Sequence, residues 1–458
     1  MATGILFPEG FLWGAATSAY QIEGSPLADG AGPSIWHRFS RSPGKVANGD
    51  TGDVACDHYR RWADDVALMA ALGLGAYRLS VAWGRVMPEG RGPVNPKGLA
   101  FYERLVDRLL SCGIVPMVTL YHWDLPAALD DRGGWLNRDS AGWFADYAVA
   151  VFRTLADRVR LWVTINEPWV VAVGGYLQGD YAPGHRSIAE TPLVANNLLR
   201  AHASAVEGYR AWGRHQIGIA VNLEPQHALS DSPADTAAAQ RRDAFVNRWF
   251  LDPLLLGRYP PELTAAFGDA WPRFPEEDLK RIHGKPDFLG VNYYSRALVR
   301  EDLAAVPLRA SSARLGQRAQ TAMGWEVYPR GLREILLWIK GRYGNPPVYV
   351  TENGAAFDDP IPVRGEVQDP LRVDYLRRHL MAAASARREG VDLRGYFAWS
   401  LLDNFEWAHG YAKRFGLVHV DFPTQRRRPK ASARYYADVI RSRGSTLAAE
   451  ADQETDLA

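Results

Sequence analysis

The most constraining feature of this chain is a repeat. Eight short apolar runs alternate with stretches of helical periodicity. The runs begin near Phe11 (FLWGAA), Ala76 (AYRLSV), Ile114 (IVPMVTLY), Arg160 (RLWVTI), Ile217 (IGIAVNL), Asp287 (DFLGVNY), Pro347 (PVYVTE) and Arg394 (RGYFAW). Several are apolar throughout rather than alternating, the pattern of parallel strands covered on both faces. Between them, Leu99, Tyr102, Leu105, Val106, Leu109 and Leu110 share one helical face that Gly113 terminates, and Trp62, Val66 and Met69 do the same up to Gly73. A third stripe is Phe144, Tyr147, Ala148, Val151, Phe152 and Leu155. These stripes are read as faces packed on a sheet.

Eight such alternations fit either an open doubly wound sheet or a closed (β/α)8 barrel. The first run lacks the G-x-G-x-x-G turn of a dinucleotide fold, which argues against an NAD-dependent dehydrogenase. Polar and aromatic residues gather where the runs end: Gln21, His122 and Trp123, Asn166 and Glu167, Asn292 and Tyr294, Glu352 and Asn353, and Trp399. In a barrel those ends converge on one mouth. The chain is therefore expected to be an α/β protein, a single (β/α)8 TIM barrel over residues 1–446. Leu447–Ala458, small and acidic, is expected to be a disordered tail.

Composition narrows the partners. Lys plus Arg number 53 against 52 Asp plus Glu, so the near-zero net charge gives no electrostatic case for nucleic acid or an anionic membrane. No run approaches the roughly 18 apolar residues of a membrane helix. The first residues lack the basic and apolar regions of a signal peptide. Cys56 and Cys112 make no disulfide framework, and neither Cys nor His shows metal-ligand spacing, so a cytoplasmic protein with no metal and no cofactor is expected. The sequence does not indicate an oligomeric state. The 16 Trp and 20 Tyr exceed what a core of this size needs and hint at flat apolar ligand surfaces.

Two strand ends carry chemistry. The fourth run ends in Thr164-Ile165-Asn166-Glu167-Pro168 and the seventh in Val350-Thr351-Glu352-Asn353-Gly354. A Glu at the tip of a buried strand is partly desolvated and needs a partner or a task. Each could simply bond loop backbone. Two carboxylates facing each other across a barrel mouth also suit glycoside hydrolysis, with one as acid and the other as nucleophile or base.

The chain resembles the β-glucosidases of glycoside hydrolase family 1 over nearly its full length. The resemblance rests on Phe7-Pro8, Phe11-Leu12-Trp13-Gly14, Tyr20-Gln21-Ile22-Glu23-Gly24, Arg78 through Trp83, and Tyr121-His122-Trp123-Asp124-Leu125-Pro126. It continues through Thr164–Pro168, Asn292-Tyr293-Tyr294, Tyr349–Gly354 and Trp399 through Trp407. It implies hydrolysis of terminal β-D-glucosyl residues, from cellobiose, short cello-oligosaccharides or aryl glucosides, with β-galactosides and β-fucosides as further candidates. Glu167 would be the acid/base and Glu352 the nucleophile of a retaining double displacement, with the carboxyl groups about 5–5.5 Å apart.

By the same resemblance, Arg78, Tyr294 and Asn292 would tune the nucleophile. Gln21, His122, Trp123, Asn166, Trp399, Glu406, Trp407 and Phe415 would bind the sugar, and Trp169 and Trp325 would lie toward the leaving group. The 6-phospho-β-glucosidase branch replaces the Glu406-Trp407 pair, whose carboxylate would repel a phosphate. Non-catalytic sugar-binding members lose one glutamate or both; here both are present. The Gly- and Pro-rich stretch from Ser25 to Asp53 is expected to be a rim loop, and Arg300 to Met323 a long polar entrance loop.

Overall fold

The computed structural model describes residues 6–284, 286–313, 316 and 318–447; of the expected acidic tail, residues 448–458 lie outside the described residues. Eight parallel strands close into a barrel: β1 (Leu12–Ala16), β2 (Ala76–Ser80), β3 (Val115–Tyr121), β4 (Leu161–Asn166), β5 (Gln216–Asn222), β6 (Leu289–Asn292), β7 (Val348–Asn353) and β8 (Leu393–Trp399). β1 completes the ring by pairing with both β2 and β8, Ala16 standing opposite Arg78 on one side and Trp399 on the other. Each strand coincides with one of the eight apolar runs. Their continuous hydrophobicity follows from burial on both faces, by helices outside and by side chains within the barrel.

The lumen is filled by Ala16, Ala76, Met117, Val163, Ala220, Tyr349 and Phe397, a cluster separate from the larger layer between strands and helices. Gly14 illustrates the fit: a Cβ there would sit 2.5 Å from the Phe397 ring, so glycine lets that ring occupy the axis. The helix α1 (His58–Ala71) buries Val66 and Met69 fully. Helix α2 (Pro96–Ser111) starts at Asn95, whose side chain accepts from the Lys97 N–H, and has Pro96 in its first turn. It turns Tyr102, Leu105, Val106 and Leu109 inward; Phe101 joins them and Leu110 is exposed, a small rotation of the expected stripe. Helix α3 (Ser140–Leu155) buries all six residues of its stripe. Helix α4 (Glu190–Trp212) packs beside it.

The expected entrance loop is more ordered than polarity implied. Ala297–Glu301 and Ala310–Ala313 pair as an antiparallel hairpin, and Gln226–Ala228 adds a third strand. Short alternating β segments on a two-sided polar surface carry little hydrophobic signal, which is why they read as loop. The Ser25–Asp53 rim holds the short helix Ile35–Phe39, capped by the Ser34 hydroxyl. Among the described residues no helix is long and apolar enough to cross a membrane.

Candidate active site

The carboxyl-terminal ends of the strands surround a cavity of about 720 Å³. Glu167 and Glu352 line it together with His122, Trp123, Trp169, Asn292, Tyr294, Trp325, Trp399, Glu406, Trp407 and Phe415. Gln21, Arg78 and Asn166 are buried, and each hydrogen-bonds a residue of that lining.

Local irregularities present the two glutamates. The β4–β5 register shifts between Val163 and Asn166, and the β7–β6 register shifts between Val350 and Glu352. Such shifts re-aim the last side chains of a strand. Glu167 adopts φ +46°, with Pro168 following it, and its N–H is pinned 2.8 Å from the Ala220 carbonyl. Trp123 (φ +79°) and Trp407 (φ +48°) also occupy the left-handed region. For bulky residues this conformation is costly, about 1–3 kcal/mol each, and persists where the surroundings impose it.

The glutamates differ in their partners. Arg78 Nη1 donates to Glu352 Oε1 at 2.5 Å and the Tyr294 hydroxyl donates to Oε2 at 2.7 Å. Burial pushes the Glu352 carboxyl up, and the guanidinium and the phenol oppose that push. Glu167 has no cation in contact among the described residues: Asn292 Nδ2 donates to its Oε1 at 2.8 Å. Burial and the facing charge of Glu352 push it up to about 8. The cation and the phenol favour the charged form of Glu352 over that of Glu167, so the two carboxyls differ in their readiness to hold a proton.

Asn166 links the two halves. Its Oδ1 accepts from Arg78 Nη2 (2.6 Å) and Asn292 Nδ2 (3.0 Å), so its Nδ2 is the donor facing His122 Nε2 at 3.1 Å. Burial and nearby Arg78 hold the His122 pKa well below the usual value. The neutral ring therefore accepts at Nε2 and carries its proton on Nδ1, which is buried without a partner among the described residues. Trp123 Nε1 donates to the Asn166 carbonyl at 3.0 Å, so its indole N–H positions Asn166. Asn292 is anchored by Thr351, whose hydroxyl donates to Oδ1 at 2.6 Å, and its amide donates to Asn166 Oδ1 and Glu167 Oε1.

At the other end, Gln21 Nε2 donates to the Phe405 carbonyl (2.9 Å) and approaches Glu406 Oε2 at 3.4 Å. Burial and the Glu352 charge push Glu406 up to about 8. Aromatic rings form the walls. Trp399 and Trp407 lie nearly parallel to His122, at 5.8 and 6.0 Å. Tyr294, Trp325 and Phe415 make a second group with centroids 5.2–6.2 Å apart. Trp169 crosses Phe245 at 5.6 Å, its indole N–H buried without a partner among the described residues.

Sequence reasoning missed Lys45, Tyr181, Asn222 and Glu224, all of which line the cavity. Asn222 ends β5 just as Asn166 ends β4, so the strand-end pattern could have found it. Lys45 and Tyr181 come from loops, where no periodicity points inward. Among the described residues no three His, Cys, Asp or Glu side chains gather as a metal site.

A (β/α)8 barrel whose mouth holds two glutamates in unlike surroundings amid aromatic rings fits a glycoside-cleaving hydrolase. The chain belongs to glycosyl hydrolase family 1, whose family model matches residues 4–445. It is 52% identical to "Beta-glucosidase A" of Thermotoga maritima over 441 residues, 96% of this chain and 98% of that protein. It is 50% identical to "Thermostable beta-glucosidase B" of Thermobispora bispora, over 97% of this chain and 92% of that one. The solved structure of the T. maritima family 1 β-glucosidase superposes with a TM-score of 0.94, covering 97% of this chain and 99% of its own, at 50% identity. A complex of the T. maritima enzyme with glucoimidazole gives 0.93, at 52% identity, over 96% of this chain and 99% of its own.

Proposed function

We propose that this enzyme is a retaining, exo-acting β-glucosidase in which Glu352 is the nucleophile and Glu167 the acid/base. The observation that carries the assignment is the asymmetry of the two carboxyls. One is clamped by a guanidinium and a phenol; the other meets only an amide. Glu352 attacks the anomeric carbon while Glu167 gives its proton to the departing oxygen. A glycosyl ester forms on Glu352, and water, deprotonated by Glu167, then opens it with net retention. Asn166, with one amide hydrogen uncommitted, serves the 2-hydroxyl. Gln21, His122, Glu406 and Trp407 serve the remaining hydroxyls, and Trp399 supports the apolar face of the ring. Trp169 and Trp325 flank the leaving group.

The names of the relatives, and the glucose-like inhibitors bound to the T. maritima enzyme, support glucose as the sugar. A 6-phosphate is disfavoured because the group at that end of the cavity is Glu406, a carboxyl that takes its hydrogen bond from the Gln21 amide, rather than a cation. The same reading takes residues 1–446 as one catalytic unit with an acidic tail at 447–458. It places the enzyme in the cytoplasm, a reading supported by two free cysteines.

The test is mass analysis after incubation with an activated 2-deoxy-2-fluoro-β-glucoside. One fluoroglucosyl adduct on the peptide containing Glu352 is expected. A folded protein that takes no adduct, or takes it elsewhere, would refute the assignment.

A further inference from the structure

We propose that Asn353 and Tyr375 are positioning residues that act on Glu352 through Tyr294. The inference rests on the reading of Glu352 as the nucleophile and adds what holds its phenol partner in place.

β6 ends at Asn292, so Tyr293 and Tyr294 lie past the strand. The Tyr293 N–H still reaches the Glu352 carbonyl, at 2.9 Å. From there side chains continue the hold. Asn353, the last residue of β7, donates from Nδ2 to the Tyr293 carbonyl at 2.7 Å and to the Tyr375 hydroxyl at 3.0 Å. The Tyr375 hydroxyl in turn donates to the Tyr294 carbonyl at 3.3 Å. On the other side the Tyr396 hydroxyl, from β8, donates to Asn353 Oδ1 at 2.5 Å. That bond fixes which way the amide points, and it leaves both amide hydrogens for Tyr293 and Tyr375. Asn353, Tyr293, Tyr375 and Tyr396 are all fully buried.

Tyr375 belongs to the helix Pro370–Arg388, which connects β7 to β8. Its ring stacks on His379, one turn along, at 3.8 Å and 23°. The relay therefore starts from a packed ring and ends on the nucleophile, because the Tyr294 hydroxyl donates to Glu352 Oε2 at 2.7 Å. The Tyr294 ring packs against Trp325 and Phe415, with centroids 5.2 and 6.2 Å away. Those contacts set the plane of the ring, and the bonds to the Tyr293 and Tyr294 carbonyls set where its backbone stands. A hydrogen bond weakens steeply as its angle closes, so a displaced backbone costs Glu352 its phenol. A buried polar network with its donors and acceptors paired in this way is rigid.

The experiment is the pH profile of kcat/KM for 4-nitrophenyl β-glucoside in Tyr375→Phe and Asn353→Ala, each made also in a Tyr294→Phe background. The fluoroglucosyl adduct on Glu352 of the wild type tests the underlying reading by itself, and its absence would overturn both. Tyr375→Phe removes one oxygen and keeps the ring on His379, so it decides the matter if Asn353→Ala does not fold. It is expected to lower kcat/KM about three- to tenfold, the worth of one neutral hydrogen bond. It should also move the acidic limb to higher pH, because the Tyr294 hydroxyl favours the ionised form of Glu352. Asn353→Ala should move the limb the same way. In Tyr294→Phe no phenol is left to position, and Tyr375→Phe should then cost less than about twofold. An acidic limb that stays in place, or a loss as large without the phenol as with it, would overturn the proposal.

Discussion

Arg78 Nη1 lies 2.5 Å from Glu352 Oε1, with Arg78 fully buried on β2 and Glu352 at the end of β7. The same guanidinium reaches Asn166 through Nη2 and Thr119 through Nε, so one planar cation ties its own strand to three others, β3, β4 and β7, and joins both halves of the site. Lysine cannot make that fork. Arg78→Lys is expected to lower kcat/KM about 10²–10³-fold, the scale of losing one preorganised electrostatic contact. The direction in pH is set by the role of Arg78. Its charge opposes the rise of the Glu352 pKa, so Arg78→Gln, which removes the charge that Arg78→Lys keeps, lets that pKa climb and moves the acidic limb of kcat/KM to higher pH. A pH–rate profile of the variant checks this, and an unmoved acidic limb would contradict it.

The proton on Glu167 sets the other limb. Its carboxyl is pushed up to about 8 by burial and by the charge of Glu352. Activity that needs the protonated acid should fall as pH rises through that region. Part of the shift depends on Glu352 being ionised, and an ester on Glu352 carries no charge. Glu167 is therefore expected to titrate at lower pH in the fluoroglucosyl-enzyme than in the free enzyme, which readies it to act as a base in the second step. Carbon-13 titration of labelled glutamates in the two forms measures the difference.

The parts of this site that were legible in the sequence end strands. Glu167 and Glu352 close apolar runs, and closure of the barrel brings those ends together whatever the loops do. Side-chain roles were less legible than positions. Trp123 was expected at the sugar, yet its indole N–H is committed to the Asn166 carbonyl, because a left-handed backbone at Trp123 swings the ring across. Asn292 was expected to serve the nucleophile, and its amide donates to Glu167 and Asn166, since β6 stands between β5 and β7. Tyr181 escaped altogether: its place depends on a π turn and on Gly174 leaving room for its ring, contacts that no spacing rule encodes.

Behind His122 and Trp123 sits Asp124, fully buried, with Oδ1 lacking a partner among the described residues. Burial pushes its carboxyl up to about 8, far above its value in an unfolded chain. A group whose folded pKa is raised adds stability at low pH and loses it as pH climbs toward the folded value. Asp124→Asn keeps the shape and removes the titration. Relative to wild type, the variant should gain stability between about pH 4 and pH 8, by at least about 2 °C in Tm. Melting curves at pH 5 and pH 8 provide the check; a difference that does not change with pH would show that Asp124 is ionised in the folded state.

Lys430 braces the loop that carries Asp403 and Glu406. Fully buried, it pairs with Asp403 Oδ1 at 2.7 Å and with Asp359, while Arg372 holds Asp359 and Arg414 holds Asp403. Asp403 Oδ1 also accepts the Gly416 N–H at 2.9 Å, next to Phe415, and Asp403 precedes Glu406 by three residues. Burial pushes the Asp403 carboxyl up, but Lys430, Arg414 and Arg372 overcome this and hold it below its usual value. Lys430→Met is expected to destabilise the protein by about 3–5 kcal/mol, because it leaves buried carboxylates short of a cation. Without that cation burial raises the Asp403 pKa, so the variant should recover relative to wild type as pH falls and the carboxyl takes a proton. Denaturant unfolding at pH 7.5 and pH 5 measures both effects. A penalty that is equal at the two pH values would mean that lost packing, rather than an unpaired carboxylate, is what the substitution costs.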